Sequence, residues 1–233
     1  MTTDPAELQY EAPAVPHLAV IRVGVTGHRS IPSTVLPFVR STLRHQFSRR
    51  DVEWEAFSSL AAGADQLFAD IALEHGVPVT AVIPGMDYEA HLGDLDVQTS
   101  YRRILRSCTS RVDLPFQPTH EEAYFAAGRW IVDHCDELIA VWDGRPARGP
   151  GGTADVVAYA RRVGVPVTVL WRDGARRGRT GMRHPHRSAT AILHAPRSSD
   201  LLFQGNAVSR APQPDPALRV RQWPDVPYTH HSL

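Results

Sequence analysis

Apolar residues in this chain gather in short runs, and the segments between them carry helical periodicity. Leu18 to Val25 (LAVIRVGV) is rich in β-branched residues and is bounded by Thr26-Gly27, the pattern of a buried strand. Pro32 suits the first turn of a following helix, which the pattern carries to about Arg50. Trp54 to Ser58 reads as a second strand, ending in the small-residue loop Ser59-Leu60-Ala61-Ala62-Gly63. A helix follows from Ala64 to about His75, and Val77 to Ile83 (VPVTAVI) is a third strand closed by Pro84-Gly85.

The middle of the chain is less regular. Tyr101 to Cys108 reads as helix and Arg111 to Leu114 as a short strand. Thr119, with Glu122 three residues on, has the spacing of a capping box and predicts a helix to about His134. Glu137 to Trp142 is a strand, Thr153 to Val163 a helix after a glycine-rich loop, and Val165 to Trp171 (VPVTVLW) a last strand. Strands that alternate with helices, several of them apolar on both faces, specify an α/β fold. It is a Rossmann-like, doubly wound, mostly parallel sheet with helices on both faces. Such sheets bind ligands at the C-terminal ends of their strands, near a switch in strand order. The loops after Val25, Ser58, Ile83 and Trp142 are therefore the places to look.

Three segments follow from this reading. Residues 1–17, with Pro5, Pro13 and Pro16 and no periodicity, form an N-terminal arm; 18–171 form the sheet domain; 172–233 form an irregular Arg- and Pro-rich tail. The net charge of zero hides a split. All 25 basic residues are Arg. The part up to Trp171 is acidic by six charges and the tail basic by six, so the sheet domain does not have the charge of a nucleic-acid-binding body. No apolar run is long enough to span a membrane, and the first residues carry Asp4, Glu7 and Glu11 rather than a signal-peptide pattern. Cys108 and Cys135, the two cysteines, read as buried thiols of a cytoplasmic protein. Trp54, Trp130 and Trp142 read as core. His184 and His186 lack a third ligand, so no metal and no cofactor is expected.

Three loops can carry chemistry. Gly149-Pro150-Gly151-Gly152-Thr153 stands between a strand and a helix. Glycines let a ligand approach the backbone, and a helix N-terminus favours an anion such as phosphate. Thr153 can cap the helix or donate to a phosphate oxygen. The segment is neither a Walker loop nor a dinucleotide fingerprint. In the loop after the first strand, Gly27 and His28 lead to Arg29, which offers a fork of donors for phosphate or carboxylate. The third loop ends in Gly63-Ala64-Asp65. Asp65 suits the first turn of its helix and could accept from a ribose hydroxyl or a base.

Taken in order, these segments resemble the SLOG superfamily of Rossmann-like domains, which includes the Lonely Guy phosphoribohydrolases, the DNA-processing protein A core and the YpsA-like proteins. The resemblance rests on VGVTGHR (Val23 to Arg29), SSLAAGADQLFADIALEHGVPVTAVIP (Ser58 to Pro84), DHCDELIAVWDG (Asp133 to Gly144) and GPGGTADVVAYARRVGVPV (Gly149 to Val167). The small-residue-GAD segment and the apolar-WDG strand end are nearest the YpsA-like branch. The resemblance implies a nucleotide-like ligand, with Gly27, His28, Arg29, Gly151, Gly152 and Thr153 at its phosphate and Gly63, Asp65, Arg129 and Asp143 at its sugar or base. It also implies dimers as the common homo-oligomer, although no interface is legible. The sequence departs from the family in one place. Lonely Guy enzymes carry PGG-x-GT-x-x-E, and that Glu serves hydrolysis. Here the loop is shortened and the position three after Thr153 is Val156, with Asp155 the nearest carboxylate. A binding or sensing module without catalysis is the expected function. The alternatives are an N-glycosidase acting on nucleoside monophosphates through Asp155, and a nucleic-acid binder using the tail.

Overall fold

The computed structural model describes residues 18–49, 51–147, 149–172 and 175, and the backbone of 219–222. The N-terminal arm, most of the tail, and His184 and His186 lie outside the described residues.

Six strands run parallel: β1 (Val20–Gly27), β2 (Glu53–Ser58), β3 (Val79–Gly85), β4 (Ser110–Phe116), β5 (Glu137–Val141) and β6 (Val167–Val169). A seventh, β7 (Arg219–Gln222), lies antiparallel on the outer edge of β4. The order across the sheet is β6-β5-β1-β2-β3-β4-β7. The chain therefore steps outward from β1 to β4, returns to β5 on the other side of β1, and steps outward again to β6. Right-handed crossovers then place the earlier helices on one face and the later ones on the other. Helices α1 (Leu36–Phe47), α2 (Ala64–Glu74) and α3 (Leu95–Ser107) belong to the first set, and α4 (Glu121–His134) and α5 (Thr153–Val163) to the second.

The strands show why both faces are covered. Ala81 and Ile83 point into one core, with Leu43, Phe47, Phe68 and Ile71; Val82 between them points into the other, with Ile131, Leu138 and Val156. Alternation at period two splits each strand between two apolar layers. Each large side chain so buried contributes roughly 1.5–3 kcal/mol by leaving water. Cys108 and Cys135 are buried thiols, and burial pushes both up to about 12.

Several boundaries differ from the sequence reading, each for a local reason. Pro32 opens a turn, its carbonyl accepting from Val35 N and Leu36 N, and α1 proper starts at Leu36 and ends at Phe47. Helix α3 starts at Leu95, six residues earlier than its apolar pattern, because Asp94 caps it by accepting from Val97 N. Thr119 is not the cap of α4. His120 is, through Nδ1 accepting from Ala123 N, while Thr119 N and Oγ1 donate to Asp87 Oδ1. These bonds, with that of His91, hold the Asp87 carboxyl well below the usual range. Strand β6 keeps only three residues at the sheet edge, after Pro166, which has no N–H to donate. β7 falls within the segment read as irregular; its Arg-Val-Arg-Gln sequence gives too short an alternation to register as a strand.

Candidate functional site

The strand order reverses between β5 and β1, so the loops that leave their C-terminal ends part to opposite faces and leave a crevice. A cleft of about 440 Å³ lies there. That is toward the lower end of the roughly 300–1,000 Å³ of small-molecule sites. Its walls come from the loops after β1, β2, β3 and β5 and from the first turns of α4 and α5.

The β1 loop is held by close packing. A β-carbon on Gly27 would lie 2.4 Å from Ala64 Cβ and 2.9 Å from Val141 Cβ, so only glycine fits between α2 and β5. His28 N donates to Val141 O, and His28 O accepts from Ala64 N. His28 lines the cleft although it is 9% exposed, and its Nε2 lies 3.0 Å from Asp143 Oδ1 and 3.2 Å from Asp143 N. The Asp143 side chain is 2% exposed. It sits beneath the cleft, not on its wall, and also accepts from Arg145 N. The His28–Asp143 pair thus ties together the two loops that part at the switch point. Arg29 lies on the cleft wall with its guanidinium 5.1 Å from the centre of the Tyr124 ring, a cation–π contact.

The β2 loop is organised by Asp65. Its Oδ2 accepts from Ser59 Oγ at 2.7 Å, and Ser58 Oγ donates to Asp65 O while accepting from Leu60 N. Asp65 is 4% exposed and lines the cleft. Burial pushes its carboxyl up to about 6; the hydrogen bonds of Ser59 and Ala61 and the charge of Arg29 oppose that shift. Gly63 is not part of the wall. Its φ of +81° and the carbonyl oxygens of His28 and Arg29, 2.5 Å from where a β-carbon would stand, make it a packing glycine beneath the β1 loop.

The glycine loop meets the start of α5. Gly151, Gly152 and Thr153 all line the cleft. Gly151 has φ of +72°, and a β-carbon there would lie 2.6 Å from Glu121 O. The N-cap of α5 is Gly152, without a side-chain cap; Thr153 is the first helical residue and does not cap. The N–H groups of a first turn have no intrahelical partner and carry the positive end of the helix dipole. Val156 lines the cleft, one turn further on, whereas Asp155 does not.

Arg129 is not brought to the site. It is exposed on α4 with its guanidinium 4.9 Å from the centre of the Tyr159 ring. The face of α4 that lines the cleft is Glu121, Tyr124, Gly128 and Ile131, at helical spacing, and Arg129 stands about 100° away from Gly128. Among the wall residues, Tyr88, Glu121 and Tyr124 were given no site role by the sequence reading, and Trp142, read as core, is half-buried on the cleft wall. Tyr88 is buried, and burial with the nearby Asp65 charge pushes its phenol well up. The periodicity of α4 carried the signal for Tyr124, three residues from Glu121 and four from Gly128. Among the described residues no cluster of side chains has the make-up of a metal site, and no helix is long and apolar enough to cross a membrane.

No protein-family model and no curated protein matches the sequence. Among solved structures the chain is similar to DNA processing protein A from Streptococcus pneumoniae, with 18% identity and a TM-score of 0.48 over 64% of this chain and 50% of that one. The matched part thus spans half the length of that protein. It is similar to DNA processing protein A from Helicobacter pylori, described for its single-stranded DNA binding mode, with 14% identity and a TM-score of 0.47 over 66% of this chain and 67% of that one. It is similar to the Moco carrier protein of the alga Chlamydomonas, with 18% identity and a TM-score of 0.40 over 66% of this chain and 77% of that one. The likeness to the YpsA-like branch rests on the sequence segments alone. In fold the chain is similar to DNA processing protein A and the Moco carrier protein, and in its motifs it resembles the SLOG superfamily.

Proposed function

We propose that the cleft binds a nucleotide or a nucleotide-derived small molecule and that the protein acts as a binding or sensing module. The observation that carries this reading is convergence. Arg29 and the first turn of α5, far apart in sequence, line one cleft at the β1/β5 switch point, and both are suited to an anion. In this reading Gly27, His28, Arg29, Gly151, Gly152 and Thr153 surround the phosphate, and Asp65 faces the sugar or base. Asp143 acts through His28, Gly63 acts by packing, and Arg129 takes no part. Val156 on the cleft wall, where a hydrolase of the resembling family has its Glu, favours binding over cleavage of a glycosidic bond. The setting is the cytoplasm, where buried thiols stay reduced.

A thermal-shift screen of nucleoside mono-, di- and triphosphates, cyclic nucleotides, ADP-ribose and NAD tests the reading. A ligand at 100 times its Kd adds about 2.7 kcal/mol of stability. Gly152→Asp supplies the control. Aspartate is a favoured N-cap and its charge occupies the anion position, but its β-carbon would lie 2.9 Å from Ala147 Cβ, so the ligand-free melt of the variant is matched to that of the wild type before binding is read. Binding that persists unchanged in Gly152→Asp refutes the phosphate assignment.

A further inference from the structure

The side-chain charges around the glycine loop restrict what kind of anion it can hold, provided the cleft is the nucleotide site proposed above. Glu121 opens α4 with its carboxylate against that loop: a β-carbon on Gly149 would lie 3.4 Å from Glu121 Oε1. Glu121 also lines the cleft, and Asp65 stands on another wall. Against these two carboxylates the described lining sets one guanidinium, that of Arg29, held over Tyr124 one turn along α4 from Glu121. The α5 N-terminus adds the equivalent of about half a positive charge. The sum is about half a negative charge, so the lining opposes each negative charge a ligand brings, two more than one. A phosphodiester carries one charge. A terminal phosphate carries nearly two above its second ionisation near pH 6, and a triphosphate carries more.

We propose that Glu121 is a charge-discriminating residue, which sets the cleft to receive a singly charged, phosphodiester-type anion in preference to a terminal phosphate. Glu121 is exposed, so its repulsion is screened by water and salt. The expected discrimination is up to about fivefold per added charge, the upper end of the range of exposed charge pairs. Glu122 is the internal control: its side chain is 87% exposed, lies 4.0 Å from His120 Nε2 and does not line the cleft.

The test is titration calorimetry at about pH 8, above the second phosphate ionisation. Cyclic AMP and cyclic GMP are compared with AMP, GMP and ATP on the full chain, on Glu121→Gln and on Glu122→Gln. The expected result is that the cyclic forms bind the wild type more tightly than the linear ones. Glu121→Gln should then tighten the cyclic form by up to about fivefold and AMP or GMP by about that factor again, so that the ratio narrows, and Glu122→Gln should leave the ratio alone. Linear nucleotides or ATP binding as tightly as the cyclic forms, or a ratio that Glu121→Gln does not move, overturns the assignment while leaving the nucleotide reading intact. If none of the five binds, this assignment falls, and the nucleotide reading stands or falls on the remaining ligands of the thermal-shift screen.

Discussion

Replacing Asp65 by Asn should make the protein more stable at neutral pH than at acid pH relative to wild type. The folded protein holds the Asp65 carboxyl at about 6, against an ordinary value of 3.8. Burial is the largest cause, and at 4% exposure water does little to relieve it. Two pKa units correspond to about 3 kcal/mol. The folded state binds the proton more tightly than the unfolded chain, so stability from this group is complete below about pH 4 and is lost as pH rises through 6. Asn cannot ionise and keeps an oxygen to accept from Ser59 Oγ, so the variant lacks this loss. Urea denaturation of both proteins, at steps from about pH 4.5 to 8, gives the difference in unfolding free energy and cancels every other titrating group. Across that window the difference should swing by about 2–3 kcal/mol in favour of Asn. A difference that stays flat, or that swings the other way, refutes the assignment of a buried, reluctantly ionised carboxyl. Removing Arg29, whose charge opposes the shift, should move the window to higher pH.

Truncation after Ala175 should leave a folded domain with a cooperative melt, although the outer edge of β4, bare without β7, makes it more prone to self-associate. Among the described residues both cores are built from positions up to Trp171 with one partly buried contact from Ala175, and the described element that is lost is β7; a broad transition or no melt at all would show that the tail completes the domain. Chromatography of nucleoside monophosphates incubated with the protein should show no released base. Asp155 does not line the cleft, and a general acid or base must stand within hydrogen-bond reach; release that Asp155→Asn abolishes would establish a hydrolase.

The strands and the loops at their ends were legible because strand identity depends on apolar runs, and those runs, Val23 to Val25 or Leu138 to Val141, are the buried ones; the strand order that puts the switch between β5 and β1 was not, because it is set by pairings distant in sequence. The glycine loop and the β1 loop were legible because glycines and turns mark strand ends. Caps were less so. A threonine with a glutamate three residues on fits the capping rule at Thr119, but a distant carboxylate, Asp87, takes both of its donors, and nothing local reveals that. Arg129 was assigned to the site by the family resemblance, whereas helical phase decides: Gly128 meets Val156 at a distance only glycine allows, and its neighbour must point away. Asp143 has the composition of a ligand contact, and only the three-dimensional pairing with His28 shows it to be a support.

The partner strand of β4 has a consequence for the order in which the molecule is made. The parallel sheet is complete once Val169 has left the ribosome, but Arg219, which begins β7, emerges 50 residues later. At the roughly 5–20 residues per second of synthesis, the outer edge of β4 stays open for about 2.5–10 s on every nascent chain. Over that interval its backbone donors and acceptors are a template for any extended segment nearby, including the same edge on a neighbouring chain of a polysome. The late strand closes that exposure, so codon usage between β6 and β7 sets how long each newly made molecule is open to joining another.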